Sequence, residues 1–198
     1  NPSRRRIIQI AKIVLMLRYL APHQDLFKPS LRSTPENMTA SIEFQAGEIA
    51  GVIVKPLKRH SDGRGWLTEL FREDELAPEF HPVMGYVSMT KPGVARGPHE
   101  HVYQTDIFAF VGPGTFQVVL WDARPASPTY GHRQEIIAGA DAPTTVLVPP
   151  GVVHAYRNVS QEAGLVFNVP NRLYAGPGRR QPVDEIRHEE RTEGQFTF

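Results

Sequence analysis

From Ile49 onward the chain is a succession of short apolar runs, each closed by Gly or Pro. They read IAGVIVKPL (49–57), GYVSMT (85–90), DIFAFV (106–111), GTFQVVLWDA (114–123), TTVLVP (144–149) and LVFNVP (165–170). Their β-branched and aromatic side chains fit a pleated surface better than a helix, where χ1 is restricted. The intervals between them are too short for the crossover helices that parallel strands require. One acidic segment, REDELAPEF (72–80), has helix-forming composition, and Pro78 limits it. Many short strands without helices predict an all-β sandwich or barrel, of which a jelly roll with few short helices is the favoured form.

Composition narrows the function classes. The 198 residues include no cysteine, which excludes disulfide scaffolds, thiolate nucleophiles and thiolate-ligated metal sites. Charge is unevenly spread. Residues 1–37 carry seven basic and two acidic side chains, leaving 15 basic and 19 acidic on residues 38–198. A nucleic-acid binder would carry its basic charge on the folded body, so no nucleic-acid partner is expected. The run IIQIAKIVLMLRYL (7–20) follows three arginines, but Lys12 and Arg18 interrupt it and it is too short to span a bilayer. Residues 1–37 are therefore expected to be an extension, disordered or loosely helical, preceding one domain at 38–198. The expected setting is cytoplasmic, with no membrane partner.

The chemistry concentrates in two histidine segments, Arg96-Gly97-Pro98-His99-Glu100-His101 and Pro149-Pro150-Gly151-Val152-Val153-His154. Residues two apart on a strand share a face, so His99 and His101 point the same way. The P-x-G-x-x-H-x-x-x-N spacing of 149–158 resembles cupin barrels, and the first segment supplies the matching H-x-H. In metal-binding cupins such histidines and a nearby acid converge on one divalent ion, which here implies His99, His101, Asp106 and His154. Imidazole nitrogens with one carboxylate suit iron, manganese, nickel or zinc. Histidines lining a polar cavity with no metal are the other reading.

A longer resemblance covers about residues 49–187. Asp62-Gly63-Arg64-Gly65-Trp66-Leu67-Thr68-Glu69, Lys91-Pro92-Gly93-Val94-Ala95-Arg96-Gly97-Pro98-His99, Asp122-Ala123-Arg124 with Ser127-Pro128-Thr129-Tyr130-Gly131, and Val148 to Tyr156 occur in order. They resemble four motifs of the dTDP-4-dehydrorhamnose 3,5-epimerases, which are cupin-type jelly rolls. The resemblance implies proton abstraction beside the ketone of a nucleotide-linked 4-keto-6-deoxy sugar. It makes His99 the base, Arg64, Glu69, Arg96 and His154 substrate contacts, and the protein a homodimer without a cofactor. Histidine suits the first role because its unperturbed pKa lies near working pH.

The chain departs from that family at three positions. The lysine that would stabilise an enolate is Asp106, the proton-donating tyrosine is Phe167, and the glutamine two residues after the base is His101. Among replacement acids Tyr103, Tyr156 and Tyr174, Tyr174 ranks first by its place near the family's later tyrosines. Asp122 and Arg124 are expected to be a structural pair. Three functions remain open: a 3,5-epimerase-like isomerase, a metal-dependent cupin enzyme, and a non-catalytic sugar-nucleotide-binding module.

Overall fold

The computed structural model describes residues 42–189 and 194–198; the expected extension at 1–37 lies outside them. Among the described residues thirteen strands form in chain order: β1 (Gln45–Ala46), β2 (Ile53–Pro56), β3 (His60–Asp62), β4 (Gly65–Leu67), β5 (Tyr86–Thr90), β6 (Ala95–Glu100), β7 (Asp106–Phe110), β8 (Thr115–Asp122), β9 (His132–Gly139), β10 (Thr144–Val148), β11 (Val152–Asn158), β12 (Gly164–Asn168) and β13 (Ile186–Arg187). Two sheets face each other, one ordered β1-β9-β8-β11-β6-β13 and the other β2-β10-β7-β12-β5. This is the expected jelly-roll sandwich. Strands β3 and β4 form a separate ribbon. Among the described residues no helix is long and apolar enough to cross a membrane.

The expected helix at 72–80 is two single 3₁₀ turns, Glu73–Glu75 and Pro78–Phe80. Leu76 and Ala77 between them are extended, with ψ of 139° and 144°. Proline disfavours the α conformation in the residue before it, so Pro78 holds Ala77 out of a helix.

Alternation along the strands decides what lies between the sheets. Phe116, Val118 and Leu120 of β8 point inward with Val152 and Tyr156 of β11, and meet Phe108, Phe110, Val146, Val148 and Val166 of the second sheet. The odd residues Val119, Trp121, Val153 and Ala155 point outward and are buried with Phe196. Phe196 and Phe198 lie edge-on to Trp121, with ring centroids 5.8 and 6.5 Å away. The chain's last residues thus cover an apolar face that a six-stranded sheet would otherwise leave wet.

Asp122 ends β8 fully buried. Its carboxylate accepts hydrogen bonds from Arg124 Nε (2.8 Å), Ser127 Oγ (2.5 Å) and Thr129 Oγ1 (2.6 Å). Burial alone would raise its pKa, but these donors hold it well below the usual carboxylate range. Arg124 also reaches the carbonyl of Ala50, so the pair ties the β8–β9 turn to the segment before β2.

Candidate active site

His154 lies in the inward-facing series of β11, and β6 lies beside β11 in the same sheet. His154 is register-paired with His99, and Tyr156 with Arg96. Two residues lie between Arg96 and His99 where only one lies between His154 and Tyr156, so β6 carries a bulge at Gly97–Pro98. The extra residue returns Arg96 and His99, which regular alternation would put on opposite faces, to the same face. Gly97 has φ +81°, and a Cβ there would lie 2.6 Å from the His154 carbonyl oxygen. The glycine in the R-G-x-H motif is therefore a steric requirement of the site.

Asp106 opens β7 in the opposite sheet and His101 follows the end of β6. Donor atoms of His99, His101, Asp106 and His154 all lie within 4.8 Å of one another. The His101 Nε2 and His154 Nε2 atoms are 3.0 and 3.3 Å from Asp106 Oδ2. The structure thus brings together the four residues singled out for a metal, using both sheets.

Outer hydrogen bonds orient three of the four. The His154 Nδ1 atom is 3.0 Å from the Val152 carbonyl, and His101 Nδ1 bonds the Asp184 carbonyl. A carbonyl only accepts, so both rings carry their proton on Nδ1 there and turn Nε2 inward. Asp106 Oδ1 accepts from Gln104 Nε2 and Asn168 Nδ2, each at 2.9 Å. Asp106 Oδ2 and His154 Nε2 are buried and make no hydrogen bond among the described residues. His99 differs, because its ring makes no hydrogen bond to any described residue. Burial, then the neighbouring His154 and His101, push its pKa down to about 2, so the ring is neutral. Burial opposes protonation of His101 too, but Asp106 and the Asp184 carbonyl outweigh it and raise its pKa.

Several supports carry no local sequence signal. The Asp184 carboxylate accepts from the backbone N–H groups of Val102, Tyr103 and Gln104 at 2.8–2.9 Å. It holds the loop that presents His101. Asn168 also donates to the Tyr86 hydroxyl at 2.9 Å, leaving that hydroxyl's own proton free to donate elsewhere. Burial pushes Tyr86 up to about 12, so it stays protonated.

The remaining expected residues are spread out. Arg96 bonds Thr90 Oγ1 and the Met89 carbonyl beside the site. Arg64 stands on the β3–β4 ribbon, its guanidinium paired with Asp62 and its side chain 92% exposed. Glu69, also exposed, contacts Arg72 at 3.5 Å. The ribbon is anchored through Arg59 to the carbonyl of Val111, past the end of β7 opposite Asp106. No contact in this chain joins Arg64 or Glu69 to the histidines among the described residues. Tyr174 is exposed in a depression shared with Val183, Glu185 and Arg187. Arg187 is the register partner of His99 on β13. Tyr156 is buried and bonds Ser88, while Tyr103 is exposed beneath the Arg172 guanidinium.

The sequence profile of the dTDP-4-dehydrorhamnose 3,5-epimerases matches residues 46–182. A probable low-salt glycan biosynthesis epimerase, Agl13, of Haloferax volcanii is 36% identical over 127 residues, which cover 64% of this chain and 81% of that protein. The spore coat polysaccharide biosynthesis protein SpsL of Bacillus subtilis is 43% identical over 111 residues, 55% of this chain and 71% of its own. The crystal structure of a dTDP sugar isomerase from Desulfovibrio desulfuricans G20 superposes with a TM-score of 0.60 at 26% identity, covering 70% of this chain and 84% of that one. The ordered motifs, the jelly roll and the profile match agree, and the chain belongs to the dTDP-4-dehydrorhamnose 3,5-epimerase family.

Proposed function

We propose that the protein is a sugar-nucleotide isomerase that removes and returns a proton beside the ketone of a nucleotide-linked 4-keto-6-deoxy sugar. The observation that carries this reading is His99. It is a neutral ring without hydrogen-bond partners among the described residues, on the same strand face as Arg96 and directly opposite His154. A neutral imidazole can accept a proton, and the negative charge that develops on the substrate favours its protonated form as transfer proceeds. Arg96 is placed to pair with phosphate oxygens, for which a planar guanidinium is suited. Two tyrosines are available as the returning acid: Tyr174, favoured by the resemblance, and Tyr86, favoured by its free hydroxyl proton.

The protein works as a homodimer in this reading. β5 is an edge strand, with Val87 and Met89 more than half exposed, and such an edge is a template for pairing. A partner's β3–β4 ribbon would bring Arg64 and Glu69 to a site they do not reach within their own chain. A charged nucleotide sugar does not cross membranes unaided, so the enzyme is assigned to the cytoplasm with its substrate.

The test is solvent deuterium uptake into a dTDP-linked 4-keto-6-deoxy sugar. Wild type is expected to exchange, and His99→Ala to lose about 10²–10⁴-fold in rate while still binding dTDP through its arginines. Absence of exchange by wild type across a panel of such sugars would end the isomerase reading and favour a binding module.

A further inference from the structure

We infer that His101, Asp106 and His154 form a binding site for one divalent transition-metal ion, and that His99 stands beside it as a free ring rather than as a ligand. The argument begins with lone pairs. With its proton on Nδ1 toward the Val152 carbonyl, His154 presents the Nε2 lone pair to Asp106 Oδ2 at 3.3 Å. Both atoms are buried and neither makes a hydrogen bond among the described residues. Two electron-rich atoms facing each other out of water repel, unless a positive charge lies between them. The His101 ring, its Nδ1 proton directed to the Asp184 carbonyl, turns its own Nε2 lone pair on the same Asp106 oxygen at 3.0 Å.

The spacing fits an ion. Donors held about 2.1 Å from one ion stand about 3.0 Å apart at right angles and about 3.4 Å apart at the tetrahedral angle. The two histidine nitrogens lie 3.0 and 3.3 Å from Asp106 Oδ2. Each proposed ligand is also fixed from behind: His154 by Val152, His101 by Asp184, and Asp106 by Gln104 and Asn168. Such outer hydrogen bonds set the tautomer and direction of metal ligands. His99 has none of them, which is why it is left outside the set. Two imidazoles and one carboxylate suit iron, manganese, nickel or zinc and leave positions open for a further oxygen ligand.

The site would supply the charge that a lysine provides elsewhere in the family and that Asp106 by itself would oppose. This part rests on the isomerase reading, whereas metal binding itself does not. In the proton transfer, the carbon–hydrogen bond beside the ketone breaks and its proton passes to His99. The electron pair moves onto the carbonyl oxygen, and an ion held by His101, Asp106 and His154 would supply positive charge to offset it. On return a tyrosine hydroxyl gives its proton to the carbon and re-forms the bond; His99 then releases its proton to solvent and the phenolate takes one back, with no net oxidation.

The experiment uses the untagged full chain, dialysed against chelator and titrated with Co(II) alone, read by calorimetry and by the visible ligand-field spectrum. The expected result is one ion per chain with micromolar or tighter affinity, and a Tm that rises with Co(II) or Zn(II). Asp106→Asn and His154→Gln should weaken binding about 100-fold or more, and His99→Ala should change it less than about threefold. The wild-type titration stands even if a variant fails to fold. No stoichiometric binding by wild type, or undiminished binding in folded Asp106→Asn, would overturn the site. Loss of the ion in folded His99→Ala would overturn the assignment of His99. Stoichiometric binding without deuterium exchange would support the metal site and end the isomerase reading. Exchange at an equal rate by chelated and loaded protein would leave the isomerase reading standing and overturn the ion's part in it.

Discussion

His99 and His154 face each other as register partners on β6 and β11, with ring centroids 4.3 Å apart. Their meeting depends on the bulge at Gly97–Pro98, since it sets which face of β6 His99 occupies. The motif R-G-x-H is thus a backbone device as well as a set of side chains.

Gly97→Ala tests that dependence. The added methyl would meet the His154 carbonyl oxygen at 2.6 Å and His99 Nδ1 at 3.1 Å, at a φ of +81° that alanine disfavours. Chemical denaturation is expected to show a loss of about 1–3 kcal/mol. Exchange activity should fall further than stability does, because the displaced atoms belong to the two facing residues. Wild-type activity in this variant would mean that β6 relaxes without disturbing the site.

Asn168→Ala removes one amide that serves two groups, the Tyr86 hydroxyl and Asp106 Oδ1. Loss of an outer hydrogen bond to a metal ligand is expected to weaken Co(II) binding about 10–100-fold. Tyr86→Phe keeps Asn168 on Asp106 and should leave Co(II) affinity unchanged. Deuterium exchange in Tyr86→Phe compared with Tyr174→Phe then shows which tyrosine returns the proton: the larger loss marks it.

The Asp122 network predicts a specific acid sensitivity. Its folded pKa is depressed, so it contributes stability in full above its unfolded value of about 3.9 and loses it as pH falls toward the folded value. Unfolding free energy measured against pH should therefore drop below about pH 4 in wild type. In Asp122→Asn that drop should be smaller. The variant should be less stable at pH 7 by about 2–3 kcal/mol, the low side for a buried pair because Arg124 remains partly exposed. Parallel curves for the two proteins would contradict the assignment.

Local pattern made much of this fold readable. Five of the six quoted runs overlap strands closely, since alternation and β-branching act within one segment; for 49–57 only Ile53–Pro56 pairs. β9 has no comparable signal, because its sequence HRQEIIAG mixes polar and apolar residues and takes its place by pairing along β8. The four central donors were legible through the resemblance to metal-binding cupins; strand alternation alone would not place them, because His101 lies past the end of β6 and a bulge sets the face of His99. Their supports were not legible. Asp184 lies about 80 residues from the loop it caps and Asn168 lies 62 from Asp106, so only the folded chain brings them together. The helical composition at 72–80 misled because propensity summed over nine residues ignores one proline's effect on its neighbour.

The dimer reading makes the final prediction, since it divides one site between two chains. Arg64→Ala and His99→Ala homodimers should each be impaired, the first in nucleotide affinity and the second in exchange rate. If Arg64 acts across the interface, a mixed dimer contains one site with both wild-type residues and one with neither. Co-refolding the two variants in equal amounts should then restore exchange to about one quarter of wild type, because half of the dimers are mixed and each has one intact site. Light scattering on the same samples should report a dimer throughout. If Arg64 instead serves its own chain, every site in the mixture carries one lesion, and mixing restores nothing. A monomer at micromolar concentration would remove the division of the site altogether.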